Sequence, residues 1–182
     1  MAANIPASDL STNQQVTKPH SERLRLAALI GAGVAIATIV GAWAFELIGG
    51  LIPCPLCLTQ RIPYYVGLPV AGLAVVLADR ATGLARLALA AFGLIMIVSA
   101  GLGAYHSGVE WGWWPGPADC AAAAQADAAL SIQDLRDQIE AAPHLVACDE
   151  AAWRLFGLSL AGWNVVASLA VAGVVAWGLR RS

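Results

Sequence analysis

Two cysteines separated by two residues, in Cys54-Pro55-Leu56-Cys57, are the side chains of this sequence best suited to covalent chemistry, and Arg61 follows the second at i+4. A Cys-x-x-Cys pair closes a short loop and cycles readily between dithiol and disulfide, with one sulfur commonly held as a reactive thiolate. Pro53 and Pro55 interrupt the apolar run before them. Cys57 is therefore expected near the amino end of the next helix, where unpaired backbone N–H groups favour negative charge, and on this reading it is the stabilised thiolate. On a helix the Arg61 guanidinium shares a face with the Cys57 sulfur and adds a fixed positive charge.

Arginine at a membrane interface is ordinarily a headgroup anchor. Beside a cysteine pair it suits a quinone, whose ring dissolves in a bilayer and whose carbonyl oxygens gather negative charge on reduction. Arg61 would polarise one carbonyl, Cys57 would donate electron density into the ring, and Cys54 would attack the Cys57 sulfur to restore the disulfide. Two further cysteines, Cys120 and Cys148, lie 28 positions apart. They can pair by loop closure, as a structural staple or as a second exchanging couple. A four-cysteine zinc site is disfavoured because no second close pair and no ligand-spaced histidine accompanies Cys54 and Cys57, so no metal is expected.

The elements that must hold these residues are membrane spans. Of 182 residues 59% are hydrophobic and only 12% charged, where a soluble domain carries about a quarter charged residues. Mean hydropathy is +0.68. The net charge of −2 gives no reason to expect nucleic acid. After a polar tail over residues 1–25, expected to be flexible, apolar stretches at about 26–51, 62–78, 87–104 and 157–179 are each long enough to cross the hydrocarbon layer as helices. A cleavable signal peptide is the rival reading of the first, since Ala42-Trp43-Ala44 loosely resembles a cleavage site, but its core exceeds the ~7–15 residues usual there. The expected fold is thus an all-α, four-transmembrane-helix bundle, with a long loop over 105–156 and a short end at 180–182.

Lys18, Arg23, Arg25, Arg80, Arg86, Arg180 and Arg181 fall on one side of such a bundle, and only Arg61, Arg136 and Arg154 on the other. Basic residues concentrate on the cytoplasmic side. Both termini are therefore expected in the cytoplasm, and all four cysteines outside, in a bacterium in the periplasm, where disulfides persist. Within the long loop Ser131 and Asp134 suggest a capping box, and Leu130, Leu135, Ile139 and Ala142 one side of a short amphipathic helix, resting on the membrane or packed on its own loop. Trp111, Trp113 and Trp114 read as an interfacial belt rather than a ligand wall, and Glu110 as a solvated or headgroup-level acid. Asn164 fits helix packing through a polar contact. Glu46, a carboxylate near the outer end of the first span, has no role assigned by its neighbours.

Pro53-Cys54-Pro55-Leu56-Cys57-Leu58-Thr59-Gln60-Arg61 resembles the signature of the disulfide bond formation protein B (DsbB) family. Ala104 to Glu110, the Trp-rich run to Pro117, Cys120, Cys148 and Phe156-Gly157-Leu158-Ser159 follow in the family's order, so that the likeness covers nearly everything from Leu26 to Leu179. The resemblance implies that Cys120 pairs with Cys148 and receives the attack of a reduced thioredoxin-fold oxidase (DsbA-like), that Cys54 exchanges with this loop pair, and that Cys57 forms a charge-transfer complex with quinone. It also implies that Arg61 lies beside the quinone, ubiquinone or menaquinone, and that His106 is near it, although an interfacial histidine satisfied by water or backbone reads equally well. Electrons would pass indirectly to the respiratory chain, from an enzyme in the bacterial inner membrane. Reoxidising a dithiol as oxidising as DsbA, at about −120 mV, demands an acceptor such as quinone; glutathione cannot serve. The loop departs from the family in being rich in alanine and in carrying Asp127, Asp134, Asp137 and Glu140.

Two other classes fit some of these features. A vitamin K epoxide reductase type of oxidoreductase also couples a Cys-x-x-Cys to quinone in a membrane bundle, but there the motif follows the loop pair, whereas here it comes first. A non-enzymatic membrane protein with stapled loops would hold two disulfides that resist mild reduction.

Overall fold

Among the described residues, four helices are long and apolar enough to cross a bilayer. A computed structural model describes residues 7–118, 120 and 148–180, with side chains from residue 20 onward. It comprises α1 (Ala7–Leu47), α2 (Pro55–Leu77), α3 (Thr82–Glu110), a two-residue hairpin of β1 (Arg154–Leu155) and β2 (Leu158–Ser159), and α4 (Leu160–Leu179). The expected amphipathic helix near Ser131 lies outside the described residues. The chain is a four-helix membrane bundle in which each helix packs on its neighbours in sequence and α4 closes the ring against α1.

The helix ends differ from the hydropathy pattern in ways that matter for the site. α2 starts seven residues before the expected 62, because Pro55 occupies the first helical position, where its missing N–H costs no hydrogen bond, and Cys54 caps it. The cysteine motif is thus the first turn of a helix rather than a turn between helices. α3 continues past the expected 104 to Glu110, which carries His106 into the bundle. α1 begins at Ala7, so that much of the expected flexible tail is helical. The hairpin, unforeseen in the all-α expectation, turns through Phe156 and Gly157 at φ of 52° and 81°. Positive φ at both central residues matches the twist of a two-residue hairpin. It delivers Ser159 to the start of α4, where the hydroxyl accepts the Gly162 N–H at 3.2 Å.

Inside the ring, Leu24, Tyr64, Leu89, Phe92, Met96 and Val171 are fully buried among alanines of α1, α2 and α3 and valines of α4. In a bilayer apolar burial drives helix association only weakly, and small residues that allow close backbone approach take its place. Gly178 shows this: a β-carbon there would lie 2.4 Å from the Ala27 β-carbon across the α1–α4 contact. Gly178→Leu is expected to push these helices apart and destabilise the bundle by about 1–3 kcal/mol, the usual range for overpacking. Thermal unfolding in detergent checks it; an unshifted midpoint would mean that the two helices do not meet so closely.

The two ends of the bundle differ in chemistry. At one, Arg25 meets Asp79 at 3.4 Å, Arg86 reaches His20 and donates to the Leu179 carbonyl at 3.0 Å, and Arg23 lies 5.8 Å over the Trp177 ring. All four cysteines are at the other.

Candidate active site

Cys54 is the N-cap of α2, and its position in the helix explains its chemistry. The third residue of the helix is Cys57, whose backbone N–H donates to the Cys54 Sγ at 3.2 Å, as a capping oxygen would receive it. The two sulfurs lie 2.8 Å apart as free thiols. From α3 His106 approaches the Cys54 Sγ with Nε2 at 3.8 Å. The thiolate expected on Cys57 is therefore placed on Cys54. Donation from the Cys57 thiol, opposed by burial and aided by His106 and the Cys57 N–H, lowers Cys54 from 9.0 to about 5. The misplacement follows from taking the helix to begin beyond the motif, when its first turn lies within it.

A thiolate with this acidity is fully formed at neutral pH. The rate at which Cys54 attacks a disulfide should be flat above about pH 6 and fall tenfold per unit below about 5, since attack is proportional to the thiolate fraction. Stopped-flow exchange with a small disulfide checks this; a rate still rising between pH 7 and 9 would show an ordinary thiol.

Cys120 and Cys148 are joined by a disulfide. They are buried with Cys54, Leu56 and Val109 in one cluster, with Cys57 packed against it. Cys57 also lines a cavity of about 400 Å³ between α1, α2, α4 and the hairpin. Cys54 does not line it, so the pair has one sulfur toward the loop disulfide and the other toward the cavity.

The cavity walls are mostly apolar, with Phe45 and Ala42 from α1 and Leu160, Ala161 and Ala167 from α4, and Trp153 and Trp163 also contribute. Trp111, Trp113 and Trp114 do not line it; they stack edge to face on one another, exposed. Arg61 does reach the cavity, and there it donates to Glu46 Oε2 at 2.7 Å. That contact gives Glu46 the partner that the sequence did not reveal. His106 is absent from the lining, and it is buried rather than interfacial, 3% exposed. Its Nδ1 meets Gln60 Nε2 at 2.6 Å. Glu110, read as a solvated acid, has a side chain 4% exposed, with Oε1 4.0 Å from His106 Nε2 and Oε2 without a hydrogen-bond partner among the described residues.

Sequence reasoning also missed Gln60 and Tyr64 as part of this site, and although it gave Asn164 a polar packing contact, it did not connect that contact to the cysteines. Tyr64 donates to Asn164 Oδ1 at 2.5 Å, and Asn164 Nδ2 donates to Gln60 Oε1 at 2.7 Å. Their signal was available: amides and a phenol in apolar spans must find partners, and here those partners are one another.

Cys54, Cys57 and His106 bring three ligand-type atoms within 4.8 Å of one another. Two zinc–sulfur bonds of about 2.3 Å at the tetrahedral angle would hold the sulfurs about 3.8 Å apart. At 2.8 Å they are placed for a hydrogen bond and for closure to a disulfide instead.

The sequence profile described as disulfide bond formation protein DsbB matches residues 24–178. The chain belongs to the DsbB family. Among its relatives, the disulfide bond formation protein B of Marinobacter nauticus is 33% identical over 136 residues, 73% of this chain and 78% of that one. The namesake from Saccharophagus degradans is 30% identical over 173 residues, 92% of this chain and 99% of that one. An uncharacterized protein of Rickettsia prowazekii is 24% identical over 157 residues, 86% of this chain and 88% of that one. No solved structure matches. Membership in the DsbB family, with four helices long and apolar enough to span a membrane, makes this a multi-pass membrane protein of disulfide bond formation and implies a thiol oxidoreductase role.

Proposed function

We propose that the protein reoxidises a periplasmic thioredoxin-fold oxidase of the DsbA type and passes the electrons to a membrane quinone. The observation that carries this reading is the division of labour within one cysteine pair: Cys54 packs in the cluster of the loop disulfide, while Cys57 and Arg61 open into an apolar cavity. A couple that touches both can take electrons from one and deliver them to the other.

The exchange balances in three steps. The partner's dithiol reduces Cys120–Cys148 and becomes a disulfide; the loop dithiol reduces the Cys54–Cys57 disulfide; the Cys54–Cys57 dithiol then closes, releasing two electrons and two protons. Quinone, as the co-substrate, takes both electrons and both protons to become hydroquinone. The cavity fits its head group, being of the volume usual for small-molecule sites and apolar apart from a few placed polar groups. Arg61 is the cation available to an oxygen there, and Cys57 is the sulfur of the pair that faces the same space.

Orientation follows from charge. The arginine-rich end of the bundle faces the cytoplasm of the inner membrane, by the excess of basic residues there, and the cysteines face the periplasm.

The test mixes purified protein with a reduced thioredoxin-fold oxidase and a soluble ubiquinone or menaquinone analogue and follows quinone absorbance. One quinone should be reduced for each partner disulfide formed. Partner oxidation without quinone loss, or none at all, would overturn the reading.

A further inference from the structure

Four side chains from three helices form a single chain of hydrogen bonds, and the direction of every bond in it is fixed. Asn164, 8% exposed on α4, has its Nδ2 3.4 Å from the backbone carbonyl of Ser99. A carbonyl can only accept, so the amide nitrogen must face it. Asn164 Oδ1 correspondingly receives the Tyr64 hydroxyl at 2.5 Å. The remaining Nδ2 proton goes to Gln60 Oε1 at 2.7 Å. Gln60 is thereby oriented with its nitrogen away from α4, and a second backbone carbonyl, that of Leu56 at 3.4 Å, agrees. The other Gln60 N–H points at His106 Nδ1, 2.6 Å away.

His106 Nδ1 must therefore be the bare, accepting nitrogen, because a proton there would face the Gln60 N–H. The ring proton is left on Nε2, which lies 3.8 Å from the Cys54 Sγ. The two tautomers of a neutral histidine are close in energy, and the bond made by one nitrogen decides the other. Here that bond is decided by an amide on a different helix.

We propose that Asn164 is a positioning residue for the redox pair: acting through Gln60, it selects the His106 tautomer that presents an N–H to the Cys54 sulfur. Asn164 is more than a packing contact of α4 on this account. It lies 110 positions from Cys54 in sequence and three hydrogen bonds from it in space. The inference rests on the thiol chemistry of Cys54 alone and needs no quinone.

Among the described residues, the titratable groups near the Cys54 sulfur are Cys57 on its own helix and His106 and Glu110 on α3; the Cys120–Cys148 disulfide does not titrate. Arg61 is engaged with Glu46 at the cavity. Severing the chain at Asn164 leaves Cys57 and Glu110 in place and takes away the 2.7 Å bond that fixes the Gln60 amide, so that only the longer 3.4 Å contact with the Leu56 carbonyl opposes its turning over. The Nε2 proton can then move to Nδ1, so that a lone pair rather than an N–H faces the sulfur, and the thiolate loses a donor.

The experiment is a carbon-13 NMR titration of Cys54 in the reduced, detergent-solubilised protein, together with histidine nitrogen-15 spectra that report the His106 tautomer. Asn164→Leu should raise the Cys54 midpoint by about one pH unit, the scale of a lost charge-assisted hydrogen bond, and should mix the tautomers. His106→Leu should raise the midpoint as well, and Asn164→Leu added to it should change nothing further. Gln60→Met, which cuts the chain one link nearer, carries the same expectations should Asn164→Leu not fold. Ser168→Ala, which trims a neighbour of Asn164 off the donor path, should leave the midpoint where it was. An unchanged midpoint and tautomer in folded Asn164→Leu or Gln60→Met overturns the proposal. So does a shift that persists without His106, or an equal shift in Ser168→Ala. Because no quinone is present, these results leave the electron-acceptor reading to its own test.

Discussion

Cys57→Ser is expected to lower quinone reduction by a factor on the order of 10³ or more while leaving the first thiol exchange possible, because the two sulfurs of the pair face different partners. A serine hydroxyl cannot form a disulfide, so the pair can no longer close and release its electrons. Cys54, however, keeps the cap position, the backbone N–H of residue 57 and the His106 contact that stabilise its thiolate. It remains buried beside Cys120 and Cys148. Cys54 should therefore attack the loop disulfide and form a mixed disulfide with one loop cysteine, releasing the other as a thiol, and residue 57 can no longer resolve that link forward. Peptide mapping without reduction reads this directly: Cys57→Ser should accumulate a link between Cys54 and one loop cysteine, whereas Cys54→Ser should show the intact Cys120–Cys148 bond. A link between Cys57 and a loop cysteine that accumulates as much in Cys54→Ser, or turnover that survives Cys57→Ser, would refute the assignment of sides.

That assignment was only half legible in the sequence. Four spans could be counted because a bilayer imposes length and apolarity on anything that crosses it, and the spans recovered from hydropathy are the four helices of the bundle. The cysteine pair and Arg61 were legible because their types are rare in such spans and their spacing is short. What hydropathy cannot locate is a helix end that is buried in protein instead of lipid. Pro55 and His106 lie in the first turn of α2 and the last turns of α3, where polar residues are paired rather than solvated. Reading those turns as loop moved the thiolate to Cys57 and left His106 at an interface. The partners of Asn164 and Glu46 were out of reach for a different reason. Each was recognisable as a polar group that needs a partner, but the partners, Gln60 and Arg61, are 104 and 15 residues away, and no local pattern selects them. The hairpin at Phe156 was illegible because a two-residue strand carries no periodicity.

The Glu46–Arg61 pair has the second large consequence. Arg61 has a side chain 13% exposed and Glu46 one 36% exposed, and their 2.7 Å contact sits on the cavity wall beside Cys57. Arg61→Ala removes the cation available to a reduced oxygen and simultaneously leaves the Glu46 carboxylate unpaired in an apolar cavity, where a second anion would be repelled. The efficiency with quinone, kcat/KM, is expected to fall about 100-fold, the scale of a lost charge-assisted contact together with the unpaired partner. Efficiency with the thioredoxin-fold partner at saturating quinone should change far less, since Cys54 and the loop disulfide do not touch Arg61. Removing the orphaned carboxylate as well, in Arg61→Ala with Glu46→Gln, should restore roughly tenfold of the loss, because the repulsive part of the defect disappears while the missing attraction remains. Steady-state kinetics with each substrate varied in turn measures all three quantities. A double variant no better than Arg61→Ala would mean that Glu46 only holds the helix ends together, and equal losses for both substrates would reduce Arg61 to an anchor of α2.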